Sequence, residues 1–320
     1  MKGLGRSIAV FLVMFAVLPV QAGAAELLIP VGKIIGLQLL DDTVTVADYD
    51  ETLGDNAREA GLKIGDEIVK VQDMPVRCAQ DVADAIENAK SVDLTVRRGS
   101  KLSTIQLCPY QTSQGTRLGI YLRQGIAGVG TVTFYDPETG EFGTLGHGVS
   151  SAKGVLLKMT RGQAYEAQLQ AVRKGKPGEP GQLKGTAGGE PFGELIKNTP
   201  QGVFGISHQG WKGEPIPTAA YEQIETGSAA IRCTVDGDNT QEYSVEILKI
   251  YPQTRNDGRN FLLKVTDEDL LDITGGIVQG MSGSPIIQNG RLVGAVPHVL
   301  VSDPTTGYGI FIENMLDAAA

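Results

Sequence analysis

A serine set between glycines constrains this chain more than any other feature. Residues 280–285 read Gly-Met-Ser-Gly-Ser-Pro and stand directly before an alternating apolar run. The two glycines permit a sharp backbone turn, which can aim the amides of Gly280 and Ser282 at one point beside the Ser282 hydroxyl. The pattern is typical of a nucleophile loop that enters a β-hairpin. An isolated motif of this kind also fits a glycine-rich turn, so a catalytic interpretation requires a base elsewhere in the chain.

A serine nucleophile needs a histidine within hydrogen-bond reach to take its proton. The chain has three, His147, His208 and His298. His147 lies in Leu-Gly-His-Gly at 145–148, where a strand is expected to end and glycines leave the ring accessible. We therefore predict that His147 is the base, although each of the three could instead be a structural imidazole.

A carboxylate usually stands behind such a histidine. Asp267 follows an apolar strand and precedes Ser282 by fifteen positions, whereas Asp269 and Asp272 fall in a segment that is typical of a solvated helical turn. The order His147, Asp267, Ser282 is that of the chymotrypsin-like proteases. It predicts a catalytic triad in a cleft between two β-barrels, with the base on the first barrel and the nucleophile on the second.

Several segments along the chain form one recognisable pattern, namely residues 28–30, 128–135, 145–148, 275–290 and 303–309. Together they closely resemble the stage IV sporulation protein B (SpoIVB) peptidases of endospore-forming bacteria. In that family the positions matched by His147, Asp267 and Ser282 are the catalytic ones.

The resemblance also implies a biological role. It implies a serine endopeptidase that cleaves a membrane-bound regulatory protein between the two membranes around the forespore. That cleavage releases an intramembrane protease, which processes a sigma factor precursor. Self-cleavage during maturation is implied as well. The rival class is a non-catalytic scaffold that binds peptides through a PDZ domain and a protease-like fold.

The expected architecture is mainly β, with two domains after the leader. Residues 27–109 read as an α+β PDZ domain, with strands at 34–39 and 44–46, helices near 57–62 and 82–89, and a final hairpin. Many short strands between turns then predict a serine protease domain with a chymotrypsin-like double β-barrel over residues 116–320. Regulatory proteases of the periplasmic trimeric type place the PDZ domain after the protease. In this chain the PDZ domain is expected before the protease, so the domain order argues against that class.

PDZ domains bind a peptide, often a chain terminus, by adding it as a strand. The segment Gly-Leu-Gln-Leu at 36–39 matches the carboxylate-loop and binding-strand pattern of the PDZ family. Lys33, Gly36, Leu37 and Leu39 are therefore predicted to line a peptide groove. The alternative is a structural domain whose groove is filled by its own chain.

The first 25 residues are typical of a signal peptide or membrane anchor. Lys2 and Arg6 precede an apolar run at 8–18 that is short for a transmembrane helix, and Ala-Gly-Ala at 22–24 offers a cleavage site. We expect an exported protein, membrane-associated or secreted into the space between the forespore and mother-cell membranes. Whether the segment is removed stays open.

Composition excludes some partners. A net charge of −9 without a basic run argues against nucleic acid, because phosphate binding needs a basic surface. Cys78, Cys108 and Cys233 lack metal-ligand spacing, so we predict neither a metal site nor a cofactor. We interpret all three first as small buried apolar residues, and a disulfide between Cys78 and Cys108 stays open.

Two further features concern loops around the site. Residues 174–181 are too rich in glycine and proline for a regular element, which predicts an exposed loop. Met281 stands where digestive serine proteases keep an aspartate that captures a newly freed N-terminus. Activation through that ion pair is therefore excluded here.

Overall fold

The computed structural model describes residues 26–151, 154–255 and 257–320. The signal peptide or anchor expected at residues 1–25 lies outside them. Within the described ranges, no helix is long and apolar enough to cross a membrane.

Strands dominate all parts of the chain. The first part contains β1 (Leu27–Pro30), β2 (Ile34–Tyr49), α1 (Asp55–Glu59), β3 (Glu67–Val71), β4 (Met74–Pro75), α2 (Ala79–Ile86), β5 (Val92–Arg98), β6 (Lys101–Leu107), β7 (Tyr110–Thr112), β8 (Gly115–Arg117) and β9 (Ile120–Tyr135). The middle part contains β10 (Glu141–Thr144), β11 (Arg161–Arg173), β12 (Gln182–Ala187), β13 (Gly193–Thr199), β14 (Gly202–Ser207) and β15 (Ile216–Pro217). After a 3₁₀ turn at Tyr221–Gln223, the last part contains β16 (Gly227–Asp236), β17 (Asn239–Ile250), β18 (Phe261–Val265), α3 (Glu268–Thr274), β19 (Ser284–Gln288), β20 (Arg291–Leu300), β21 (Asp303–Phe311) and α4 (Ile312–Ala319).

Six antiparallel strands close a first barrel. The order is β2, β9, β10, β14, β13, β11 and back to β2. Leu37 of β2 lies opposite Gly128 of β9 on one side and Ala164 of β11 on the other. Since alternate side chains of a barrel strand point inward, Leu37, Leu39 and Phe142 are buried in one apolar core.

A second barrel closes in the order β16, β17, β18, β21, β20, β19. Ala230 of β16 pairs with Ile287 of β19 and completes the ring. Its core includes Ile231, Phe261 and Phe311, each with no exposed surface, and the two phenylalanine rings pack edge to face at 4.6 Å. The mainly β, double-barrel architecture expected from the sequence is confirmed.

The unit between β2 and β9 is inserted into the first barrel rather than placed before it. β2 and β9 continue past the barrel as a pair, with Val46 opposite Leu122. Together with α1, α2 and β3–β6 they enclose a separate apolar core, which consists of Val44, Val46, Ala57, Leu62, Ile68, Val71, Val76, Val82, Ile86, Val92, Leu94, Val96, Ile105, Leu107 and Leu118. The boundary predicted at 27–109 was therefore wrong, because β1 and the first half of β2 pair with barrel strands.

The three cysteines lie in the described part of the chain and are free thiols. Cys233 is fully buried in the second barrel, as expected for a small apolar residue. Cys108 is exposed and Cys78 half-buried, so the same expectation was wrong for Cys108.

Candidate active site

Ser282 lies in the turn that leads into β19 of the second barrel. Its Oγ donates a hydrogen bond to the Pro297 carbonyl at 3.1 Å. The turn depends on glycine at two positions, since Gly280 and Gly283 both have φ +98, in the region that side chains rarely adopt. A Cβ on Gly283 would stand 2.0 Å from the Thr131 carbonyl oxygen, so the loop can approach the first barrel only with glycine there.

The backbone amides of this loop separate into two groups. Four of them donate to backbone carbonyls, namely Gln279 to Gly181, Met281 to Val278, Gly283 to Val296 and Ser284 to Met281. Among the described residues, the amides of Gly280 and Ser282 donate to none. Unpaired backbone amides are rare in the interior of a protein. Two free amides on either side of Met281 are the arrangement that an oxyanion hole requires.

The carbonyls of the loop are held by the first barrel. Thr131 of β9 donates through its amide to the Ser282 carbonyl at 2.9 Å and through Oγ1 to the Gly280 carbonyl at 2.8 Å. Thr133 donates through Oγ1 to the Gly283 carbonyl at 2.7 Å. Both threonines are buried. Sequence reasoning missed them, although two threonines at alternate positions of an otherwise apolar strand were the available signal.

His147 follows β10 after two residues in the left-handed region, Leu145 at φ +70 and Gly146 at φ +66. Its Nδ1 lies 3.0 Å from the Gly148 carbonyl oxygen, an acceptor that requires the proton on Nδ1. Nε2 is then free to accept a proton. Burial holds the pKa of His147 below its ordinary value of 6.5, so the ring is neutral at pH 7, as a general base must be.

His147 and Ser282 line the same cleft between the barrels, a cavity of about 420 Å³. Gly280 lies on its wall, together with apolar side chains that include Leu37 and Val299. Nucleophile, base and one oxyanion donor therefore meet at one surface. The arrangement can support acyl transfer once the Ser282 hydroxyl leaves Pro297 and donates to the histidine.

The other two histidines differ in position. His298 lines the same cleft, and its ring stacks on that of His147 with centroids 5.2 Å apart and planes inclined by 22°. Burial first, and then the neighbouring His147, lowers the pKa of His298 to about 4. His208 is exposed beyond β14, where its amide donates to the Phe192 carbonyl.

Asp267 caps a helix in this structure. One carboxylate oxygen accepts from the Leu270 amide at 3.1 Å and the other from the Ser244 amide at 3.1 Å. An aspartate before the first turn of a helix satisfies an otherwise free amide there, and α3 begins at the next residue. The hydrogen bonds of the described residues do not join Asp267 to His147, whose Nδ1 bonds the Gly148 carbonyl. The structure thus does not assemble the predicted triad through Asp267.

The residues predicted to line a PDZ groove lie in the first barrel instead. Leu37 and Leu39 are buried and line the cleft beside Ser282. A Cβ on Gly36 would stand 2.1 Å from that of Ala187, and Lys33 forms an ion pair with Glu166 on β11. This placement corrects the prediction, because β2 is paired on both sides over this segment and has no free edge for strand addition.

A different groove lies in the inserted unit, between α2 and the first residues of β9. This cavity of about 340 Å³ has apolar walls, with Val82 and Ile86 on α2 and Ile120 and Leu122 on β9. Gly119, directly before β9, has φ +73, and a Cβ there would lie 2.0 Å from the Leu53 carbonyl oxygen. The signal that sequence reasoning missed was the Leu-Gly-Ile-Tyr stretch at 118–121.

Two closed six-stranded barrels with a serine, a neutral histidine and two free amides at their junction define a chymotrypsin-like serine peptidase. The profile of the SpoIVB peptidase S55 family matches residues 114–316, well over half of the chain. The chain therefore belongs to the SpoIVB peptidase family.

Comparisons with other proteins gave weaker matches. The crystal structure of the inactive form of the Rv3671c protease has 17% identity and a TM-score of 0.35, over 59% of this chain and 82% of that chain. The active form, from M. tuberculosis, has 17% identity and a TM-score of 0.39, over 60% of this chain and 73% of that chain. No curated protein matches the chain.

Proposed function

We propose that this serine peptidase is an endopeptidase of sporulation signalling. It cleaves a membrane-bound regulatory protein, thereby activates intramembrane proteolysis of a sigma factor precursor, and also cleaves itself. Membership of the SpoIVB family supports this role. The observation that carries the chemistry is the pair of free amides, Gly280 and Ser282, in a cleft shared with a neutral His147.

The reaction begins when the Ser282 hydroxyl turns from the Pro297 carbonyl to Nε2 of His147. Oγ then attacks the scissile carbonyl, His147 takes the proton, and the Gly280 and Ser282 amides donate to the oxyanion. Collapse of the tetrahedral intermediate breaks the C–N bond, and His147 gives its proton to the leaving amine. Water then releases the acyl group from Ser282 by the same steps in reverse, with His147 again as base.

A serine-directed fluorophosphonate tests the nucleophile. We expect the parent to take up one label and Ser282→Ala to lose both the label and self-cleavage, because the nucleophilic hydroxyl is gone. The variant should stay folded, since a small loop residue is replaced without opening a core cavity. Ser302→Ala, an exposed serine outside the cleft, is the matched control and should keep both. Labelling or autolysis retained in Ser282→Ala would exclude this serine. A parent protein that takes no label would instead favour the non-catalytic scaffold, which the free amides of Gly280 and Ser282 disfavour.

The sporulation role needs a separate experiment. In an endospore-forming host that lacks its own SpoIVB gene, the parent chain should restore sigma factor processing and heat-resistant spores, and Ser282→Ala should restore neither. A chain that labels normally in vitro but restores nothing would keep the peptidase and exclude this role. Export through residues 1–25 belongs to the same proposal, supported by the basic flank, apolar run and small-residue ending of that segment.

We assign peptide binding to the groove between α2 and β9. Its apolar walls beside a loop with a positive-φ glycine fit a chain terminus added as a strand, as in PDZ domains. Ala83→Trp would fill the groove from an exposed position on α2. It should alter cleavage of a protein substrate while the labelling rate of Ser282 stays at the parent value. Ala60→Trp, exposed at the end of α1, is the control, and equal cleavage by both variants would contradict the assignment.

A further inference from the structure

The direction of the Gly280 amide is fixed by the carbonyl before it. In a trans peptide unit the N–H and the preceding C=O point in opposite directions, and the described residues contain no cis peptide bond. The Gln279 carbonyl accepts from the Leu183 amide at 2.8 Å, and the Gln279 amide donates to the Gly181 carbonyl at 3.0 Å. Two backbone hydrogen bonds from residues 181–183 thus hold Gln279 and aim the Gly280 N–H into the cleft.

Residues 173–183, here called the docking hairpin, belong to the first barrel and lie against the second. They connect β11 to β12, which pair with each other. The Gly175 amide donates to the Thr274 carbonyl at 2.8 Å, and the Gly178 amide donates to the Val301 carbonyl at 2.9 Å. The loop expected to be exposed at 174–181 is exposed at Lys174 and over residues 176–179, whereas Gly175 and Gly181 are buried.

The contact is close enough to demand glycine on both sides. A Cβ on Gly181 would lie 2.5 Å from Cγ1 of Val278 and 2.5 Å from the Arg173 carbonyl oxygen. A Cβ on Gly275 would lie 2.4 Å from the Gly175 carbonyl oxygen. A displaced docking hairpin would remove both hydrogen bonds to Gln279, after which the Gln279–Gly280 peptide unit could rotate.

We propose that the docking hairpin positions the oxyanion hole, with the Leu183 amide and the Gly181 carbonyl as the positioning groups. Met281 leaves no acidic side chain before the nucleophile and is fully buried, so an ion pair with a chain terminus cannot order this loop. The docking hairpin supplies the order from the other barrel. This inference rests on Ser282 as nucleophile and adds what holds its oxyanion donor in place.

Gly181→Ala tests the proposal, with Gly188→Ala as the matched control. Gly188 follows the other end of β12, and a Cβ there meets no atom within 4 Å. We expect Gly181→Ala to lower the fluorophosphonate labelling rate of Ser282 and the kcat for a small ester by about 100-fold, the usual effect of losing one oxyanion donor. KM for the ester should stay within about threefold, since ground-state binding does not use this amide. Gly188→Ala should match the parent in every value.

A merely structural role would lower the thermal midpoint of Gly181→Ala without this split between kcat and KM, and that result would overturn the proposal. Ser282→Ala distinguishes failure of this proposal from failure of the nucleophile assignment. That variant should take up no label at all, whereas Gly181→Ala should take up the label slowly.

The parent protein provides a second test that does not depend on a variant folding. If docking of the hairpin favours the oxyanion hole, then occupation of the hole must favour docking by the same factor. Phosphonylation of Ser282 places an oxygen in the hole, so it should slow hydrogen exchange of the Leu183 and Gln279 amides by about tenfold or more, a coupling of ordinary size. The Thr104 amide, in the distant hairpin of β5 and β6, should not change. Unchanged exchange at Leu183 and Gln279 on a fully phosphonylated protein would refute the proposal.

Discussion

Replacement of Asp267 separates a helix cap from a catalytic carboxylate. In the structure its two oxygens accept from the amides of Leu270 and Ser244. Asparagine keeps an acceptor for Leu270 and is an equally good N-cap, whereas alanine keeps neither bond. Asp267→Asn and Asp267→Ala therefore differ in stability, and they should not differ in chemistry.

The magnitudes follow from the two hydrogen bonds. Loss of an N-cap costs about 1 kcal/mol, and loss of the bond from the Ser244 amide costs about 1 kcal/mol more. Asp267→Ala should therefore unfold about 4–8 °C below the parent, and Asp267→Asn about 2–4 °C below, since each kcal/mol shifts the midpoint of a domain of this size by about 2–4 °C. The labelling rate of Ser282 should stay within about threefold in both variants.

The assay pairs a thermal unfolding midpoint with the fluorophosphonate labelling rate at a temperature where all proteins are folded. A triad aspartate would give the opposite result, because its replacement by asparagine lowers kcat by about 10⁴ while the geometry stays intact. A folded Asp267→Asn with labelling reduced about a thousandfold or more would refute the capping interpretation. It would return Asp267 to the role that the family resemblance implies.

Three other outcomes follow from the site. Because burial lowers the pKa of His147, labelling should decline with acid at a midpoint below 6.5, and a midpoint above 6.5 would contradict a buried neutral base. His298 has a pKa of about 4 in the folded protein and an ordinary value of 6.5, so as the pH falls the unfolded chain binds this proton first. The stability that the neutral ring contributes above pH 6.5 is therefore lost as the pH falls toward 4. His298→Gln should reduce that dependence in urea unfolding at several pH values, and an unchanged dependence would exclude His298 as its source. Gly283→Ala should lose both stability and labelling, because its Cβ would meet the Thr131 carbonyl, whereas Gly290→Ala, also at positive φ but in open space, should lose only about 1 kcal/mol.

The nucleophile loop could be predicted from the sequence because its determinants are local. Glycines at 280 and 283 and the proline at 285 specify the turn wherever it lies in the fold. The accessible position of His147 could be predicted for a similar reason, since glycines flank it at the end of a strand. Its place in one cleft with Ser282 followed from the order of motifs along the chain.

The supports of the loop could not be predicted in the same way. Thr131 and the Leu183 amide act across a barrel interface, with partners more than 90 residues away in the chain. A backbone amide carries no sequence signal, and a threonine on a strand is common for packing reasons alone. Asp267 illustrates the converse case. The acidic first turn after it, with Glu268 and Asp269, is a local helix-start signal, and it indicates a helix cap at the same position where the spacing to Ser282 predicts a catalytic carboxylate.

The domain boundary was missed because it falls inside strands. β2 runs from the barrel into the inserted unit with two shifts of register against β9, one between Leu39 and Val44 and one between Val46 and Asp48. Alternation of apolar and polar side chains indicates that a segment is a strand with one buried face. It does not indicate which of two cores that face belongs to. The sequence therefore predicts one domain for Leu37 and Val46, although they are buried in different cores. The same continuity means that one strand, β9, carries both Ile120, which lines the groove proposed to bind a peptide, and Thr131, which holds the nucleophile loop. Because the unit is inserted between β2 and β9, the groove and the nucleophile loop are connected through the backbone of one continuous strand.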